Sequence, residues 1–156
     1  MLTQLDAEKM LAIPKYVIDK GEPCTTFHLD LVKNKRYRLS LSPTDSIENS
    51  KEYLLDIKIS DKLRTKITLH TQENKSNFCL FRLDLNGSRH QNPKVVTRDV
   101  PEKFTPYAGQ LIGGSHVHYH VEGYDSSAWA IPVEFDDFPA KTLTLENYAK
   151  EFLAIF

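Results

Sequence analysis

His116, His118 and His120 stand at every second position of GGSHVHYHVEGY, and Glu122 follows at the same spacing. On a β-strand, positions i and i+2 lie about 6.6 Å apart along one face. The four polar side chains are therefore predicted to point one way, and Val117, Tyr119 and Val121 the other. The apolar row is expected on the core, and the imidazole row on solvent or a cleft.

NFCLFRLDLNG, residues 77–87, divides in the same manner. Cys79, Phe81, Leu83 and Leu85 form the apolar side; Arg82, Asp84 and Asn86 share the other with Phe78 and Leu80. GSRHQNP follows, with Arg89, His90 and Asn92 on an expected turn. Sequential strands pair about two-thirds of the time, so the two polar rows are expected to meet on one surface. The candidate catalytic set is then His116, His118, Arg82, Asp84, His90 and Glu122. Asn86, Arg89, Asn92, Tyr124 and Trp129 are the candidate substrate contacts.

Three readings of that set compete. In the leading one no metal or other cofactor takes part. A histidine pair serves as general base and acid on a phosphodiester, because imidazole holds either protonation state near neutral pH. Arg82 or Arg89 clamps phosphate with paired donors, and Asp84 or Glu122 orients an imidazole. In the second, His-x-His gives two imidazoles to zinc or another transition metal, and Glu122, His120 or Asp84 completes the set. The HxHxxxE spacing superficially matches a first cupin motif, but its downstream companion is missing, so no cupin assignment follows. In the third, the row is only a polar strand face and Arg82–Asp84 a surface ion pair. Taken singly, His28, His70 and His120 read as structural. Trp129 reads first as a core anchor, although beside the histidine strand it could stack a base.

Other nucleophiles are poorly supported. There is no GxSxG elbow, and Cys79 is expected to be an inert core thiol. GQLIGGS has three glycines but no phosphate-loop lysine, so it reads as a hinge or turn.

The elements that must position these residues follow from periodicity. Thr3 is an N-cap candidate, and the first helix should stop before Pro14. Residues 25–32, 35–42, 52–60, 64–71, 77–87, the histidine segment and 128–135 favour strands joined by short polar turns. Thr144 can cap a closing helix whose Leu145, Tyr148, Phe152 and Ile155 recur at helical spacing. The expected fold is α+β: about seven antiparallel strands in a twisted sheet or partly closed barrel, with N- and C-terminal helices. Residues 88–114 are expected to form a long loop.

Composition narrows the classes. A chain of 156 residues fits one domain over 1–156. A net charge of −1 argues against a protein held to nucleic acid by bulk charge, but leaves room for a local phosphate site. Basic residues gather in KNKRYR (33–38) and DKLRTK (61–66), which read as solvated hairpin ends. No apolar run is long enough for a membrane helix, and the first residues carry no apolar signal core, so no membrane partner is expected. Two cysteines, far apart, indicate no disulfide framework, and a reducing cytoplasm is the expected location.

LTQLDAEKMLAIPK, FRLDLNGSRHQNP and SHVHYHVEGYDSSAWAIPV occur in this order along the chain. In them the chain resembles, over nearly its full length, a family of small uncharacterised bacterial and prophage proteins. The resemblance implies that Arg82, Asp84, Asn86, Gly87, His90, Asn92, Pro93, His116, His118, Glu122, Gly123, Tyr124 and Trp129 belong to the shared motifs. His120 falls where that family more often has tyrosine. Its mobile-element setting implies a toxin, phage-defence or counter-defence context.

The leading expectation is a nuclease-like domain that acts on RNA or another phosphodiester without metal. The first alternative is a non-catalytic protein-binding module, antitoxin-like or counter-defence, for which Tyr124 and Trp129 would be interface aromatics. The other alternative is a metal-dependent hydrolase.

Overall fold

The computed structural model describes residues 2–24, 26–30, 33–44, 51–62 and 66–135. The chain opens on helix α1, Gln4–Ala12. Its start is the predicted one: the Thr3 hydroxyl accepts from the Asp6 amide at 3.1 Å and donates to the Asp6 carboxylate at 2.7 Å. It ends two residues short of Pro14, and the Lys15 ammonium donates to the carbonyls of Met10 and Ile13 at its C-terminal end.

Among the described residues eight strands form one antiparallel sheet, in the order β2-β1-β3-β4-β5-β6-β7-β8. They are β1 Lys15–Asp19, β2 Glu22–Cys24, β3 Arg36–Pro43 and β4 Tyr53–Ile59. β5 Ile67–Glu73, β6 Cys79–Gln91, β7 Leu111–Tyr119 and β8 Ala130–Pro132 complete it. The sheet is open, with β2 and β8 at its edges, which corrects the partly closed barrel, and its eight strands correct the expected count of about seven. The strand expected over 25–32 is also corrected, as residues 26–30 join no ladder. On its β1 side β3 is paired only over residues 40–43, yet residues 26–30 add no strand along the rest of that edge. Phe27 instead packs edge-on against Tyr37, with ring centroids 6.4 Å apart. The β1–β2 hairpin was missed because only Val17 and Ile18 carry its apolar signal. The expected closing helix lies outside the described residues.

Strict alternation sets the two faces. In β4 and β5 every second residue is buried: Tyr53, Leu55, Ile57 and Ile59, then Ile67, Leu69, Thr71 and Glu73. Most of these meet Leu80, Phe81, Leu83, Leu85 and Val117 in one core, roofed by Ala7 and Met10 of α1 and by Phe104, Val100 and Trp129. Phe104 belongs to a 3-10 helix, Glu102–Tyr107, within the stretch expected as a loop. A fully buried aliphatic or phenyl side chain contributes about 1.5–3 kcal/mol, so this covered face holds the sheet against α1 and the 3-10 helix. The opposite face is left to polar side chains. No helix among the described residues is long and apolar enough to cross a membrane.

Candidate functional site

Three central strands bring the polar residues together. The register sets Thr68 against Asp84 and Asp84 against His116; one step along, His70 faces Arg82 and Arg82 faces His118. Directly opposed Cβ atoms lie about 4.5–5.5 Å apart, so these rows share one patch. Leu83 and Val117, paired between them, point into the core.

Asp84 is the hub, with 4% of its surface exposed. Its Oδ1 accepts from the Thr68 hydroxyl at 2.6 Å and from Arg82 Nη2 at 3.0 Å. Arg82 Nε also lies 2.8 Å from Oδ2, a charge contact in which the N–H is not aimed at the oxygen. On the other side of Oδ2 stand His118 Nε2 at 3.4 Å and His116 Nε2 at 3.6 Å. Burial by itself would raise the Asp84 carboxyl. The neighbouring His118 ring, the Thr68 hydrogen bond and the Arg82 charge hold it well below the usual carboxylate range instead.

Backbone carbonyls set the imidazoles. His116 Nδ1 is 2.9 Å from Gly114 O, His118 Nδ1 3.1 Å from Trp129 O, and His90 Nε2 2.8 Å from Ala128 O. A carbonyl only accepts, so each of these nitrogens carries the proton and the other nitrogen presents a lone pair when the ring is neutral. Burial is the first cause that lowers both His116 and His90, so both rings favour the neutral form.

His90 reaches the patch because β6 is long and shifts register twice, between Asp84 and Gly87 and again between Gly87 and His90. Its ring centroid ends 4.7 Å from that of His118 and 6.2 Å from that of His116. Gly87 is required at the first shift: a Cβ there would stand 2.8 Å from His116 Cε1 and 2.9 Å from the Asp84 Cβ. Gly87→Ala is therefore expected to displace the His116 ring and destabilise by about 1–3 kcal/mol. A urea titration, with His116 ring chemical shifts, checks this; an unchanged ring environment would refute it.

These groups wall a recess of about 310 Å³. Lys66, Arg82 and Arg89 bring positive charge to it, and Ser88, Ser126 and Ser127 bring hydroxyls. Lys66 donates to Ser88 at 2.6 Å. A second groove, about 340 Å³, lies alongside; it is lined by Lys58, Lys62, Lys66 and Thr68 with Ser60 and Asp61. Lys66 borders both.

Several sequence-predicted residues lie elsewhere. Glu122 is not in the recess: its carboxylate accepts from the Gln4 amide at 2.8 Å and satisfies the N-terminus of α1. The Glu122→Ala variant is expected to lose about 1 kcal/mol of stability with activity intact, as read by denaturant melts beside an activity assay. Asn92 is buried and spends its amide on Ala130 N, Ala130 O and Tyr107 O, tying β8 to the 3-10 helix. Asn86 is exposed, at φ 48°, and does not line the recess. Tyr124 donates to Val95 O at 2.6 Å and packs on Trp129. Trp129 has no exposed surface, so it is a core anchor and not a stacking platform. His120 turns away once β7 ends at Tyr119, and its Nε2 lies 3.0 Å from Leu2 O.

Cys79 is the inert buried thiol expected, but on the other face of its strand. The register slip between Thr71 and Gln72 sends Leu80 and Phe81 both into the central cluster, so Cys79, still buried, lies beside Ser126 and Ser127 and not on the face of Phe81. Burial pushes its thiol up, so it stays unreactive there. Thr68, His70, Lys66 and the serine pair were missed by sequence reading. Alternation in TKITLHT already sets Lys66, Thr68 and His70 on one face. Assigning β5 as the second neighbour of β6 would have found them.

A family described as a family of unknown function, DUF6978, matches the chain over residues 2–156. No curated protein and no solved structure matches it.

Proposed function

The chain belongs to that family, and from the geometry we propose that its recess binds and hydrolyses a phosphodiester, with RNA as the polymer to test first. One observation carries this reading: three histidines and an ionised carboxylate converge in a recess bordered by Lys66, Arg82 and Arg89. Three cations against one carboxylate favour an anionic ligand. The lysine-lined groove beside it supports a chain of phosphates over a single one, since Lys66 borders both.

The groups divide the work by their hydrogen bonds. His90 donates from Nε2 to Ala128 O, which leaves its Nδ1 lone pair as the base for the attacking hydroxyl or water. The nucleophile's oxygen bonds to phosphorus as the leaving P–O bond breaks. The nucleophile's proton goes to His90, and the leaving oxygen takes a proton from solvent. Arg82 and Arg89 lie where guanidinium donors stabilise charge on the phosphoryl oxygens. Asp84 holds Arg82 through contacts to both its oxygens, and Lys66 and Arg89 keep the border of the recess positive.

The protein-interface alternative drew on Tyr124 and Trp129 as exposed aromatics; burial of Trp129 and the hydrogen bonding of Tyr124 leave it without that support. The test is incubation of the purified protein with a mixed RNA pool between about pH 6 and 8, with and without added divalent metal. His90→Ala is expected to slow cleavage by about 10²–10⁴-fold, and Arg89→Ala to weaken binding. RNA left intact by the wild-type protein under every condition would reject the reading.

A further inference from the structure

We infer that Asp84, His116 and His118 hold a divalent first-row transition metal ion, with Zn²⁺ the first choice, through Oδ2 and the two Nε2 atoms. This deepens the phosphodiester reading and, for any role in catalysis, rests on it; the binding itself rests on the ligand geometry alone. The three ligand atoms lie within 4.8 Å of one another, on residues that are all buried.

The distances decide between a proton and a metal as what lies among them. A charge-assisted N–H···O bond spans about 2.7–2.9 Å. His118 Nε2 and His116 Nε2 stand 3.4 and 3.6 Å from Oδ2, too long for that bond. Two ligands about 2.0–2.1 Å from a tetrahedral ion are separated by about 3.3 Å, which is close to both. The tautomers agree. With each Nδ1–H given to a carbonyl, both Nε2 lone pairs face a carboxylate oxygen in a site nearly closed to water. Arg82 offsets part of the Asp84 charge from the other side of Oδ2, and a cation among the three atoms would relieve the repulsion that remains between the carboxylate and the two lone pairs.

The surroundings fit the same ion. Metal-bound histidines give their second N–H to a carbonyl or carboxylate, and metal-bound carboxylates are themselves hydrogen-bonded. Here Gly114 O and Trp129 O take the imidazole protons, and Thr68 and Arg82 anchor Oδ1. Two imidazoles and one carboxylate leave at least one coordination position open. All three residues line the recess, where His90 stands beside His118, so a water or a phosphoryl oxygen bound there would be within reach of that position.

The test is titration of chelator-stripped full-length protein with ZnCl₂ and, separately, MnCl₂ by calorimetry. Visible absorption of the CoCl₂-loaded protein reads nitrogen ligation without any variant. One equivalent of bound metal, weakened about 100-fold or more by His118→Gln or His116→Gln, is expected, with far-UV circular dichroism confirming that each variant folds. His28→Ala, an exposed histidine outside the recess, should bind as the wild type does. Absence of binding, or binding that neither glutamine variant changes, would overturn the assignment. Metal bound at this site with RNA left intact would sustain the metal and defeat the phosphodiesterase; RNA cleaved by protein that binds no metal would do the reverse.

Discussion

Asp84→Ala should be the most damaging substitution in the recess, costing about 2–3 kcal/mol of stability and eliminating activity there. Breaking a buried ion pair costs about 3–5 kcal/mol when its partner is left unpaired inside the protein. Arg82 keeps 39% of its side-chain surface exposed, so it can turn partly to water, and the lower figure applies. The Thr68 hydroxyl loses its 2.6 Å acceptor in the same step. Asp84→Asn separates charge from shape. Its amide oxygen can still accept from Thr68 and Arg82, so much of the stability should return while activity stays lost. Urea denaturation of both variants beside the RNA assay measures the two quantities. A loss below about 0.5 kcal/mol for the alanine variant would make Asp84 an ordinary surface residue, and the recess would lose its hub.

Trp129→Ala is expected to cost about 3–5 kcal/mol, as for other buried large-to-small changes. Its ring packs edge-on against Phe104 and Tyr124, with centroids 5.9 and 5.6 Å away. Its backbone carbonyl receives His118 Nδ1, so collapse of this anchor also loosens the imidazole. Trp129→Phe should recover most of the loss. The chain has one tryptophan, which makes fluorescence a clean probe. Emission should be blue-shifted, insensitive to acrylamide, and unchanged on addition of RNA. Quenching by RNA would restore the stacking role that burial denies.

Much of the recess was legible as period-two spacing. Arg82 and Asp84 share a face because they are two apart on one strand, and His116 and His118 do so for the same reason. Their meeting needed only that sequential strands pair, and β6 and β7 do. Alternation failed where it was carried past an irregularity or the end of a strand. Glu122 and His120 lie beyond the end of β7, where a strand's period no longer governs direction. Cys79 precedes a register slip in the β5–β6 ladder and so appears on the opposite face. The strand expected over 25–32 had suitable residues, but alternation says nothing about whether a segment joins a ladder, and residues 26–30 join none.

Residue types and spacing alone thus determined an antiparallel sheet with one polar and one apolar face, and a first helix capped by Thr3. They also selected the imidazoles, the guanidinium and the carboxylate that could do chemistry. Only the tertiary structure decided that Thr68 supports Asp84, that His90 folds back over His118, and that Glu122 and Trp129 serve the scaffold. The reason is physical. Alternation is a local property of the backbone, whereas hydrogen-bond partners, bulges and burial depend on which distant segments occupy the neighbouring ladder and the roof of the core.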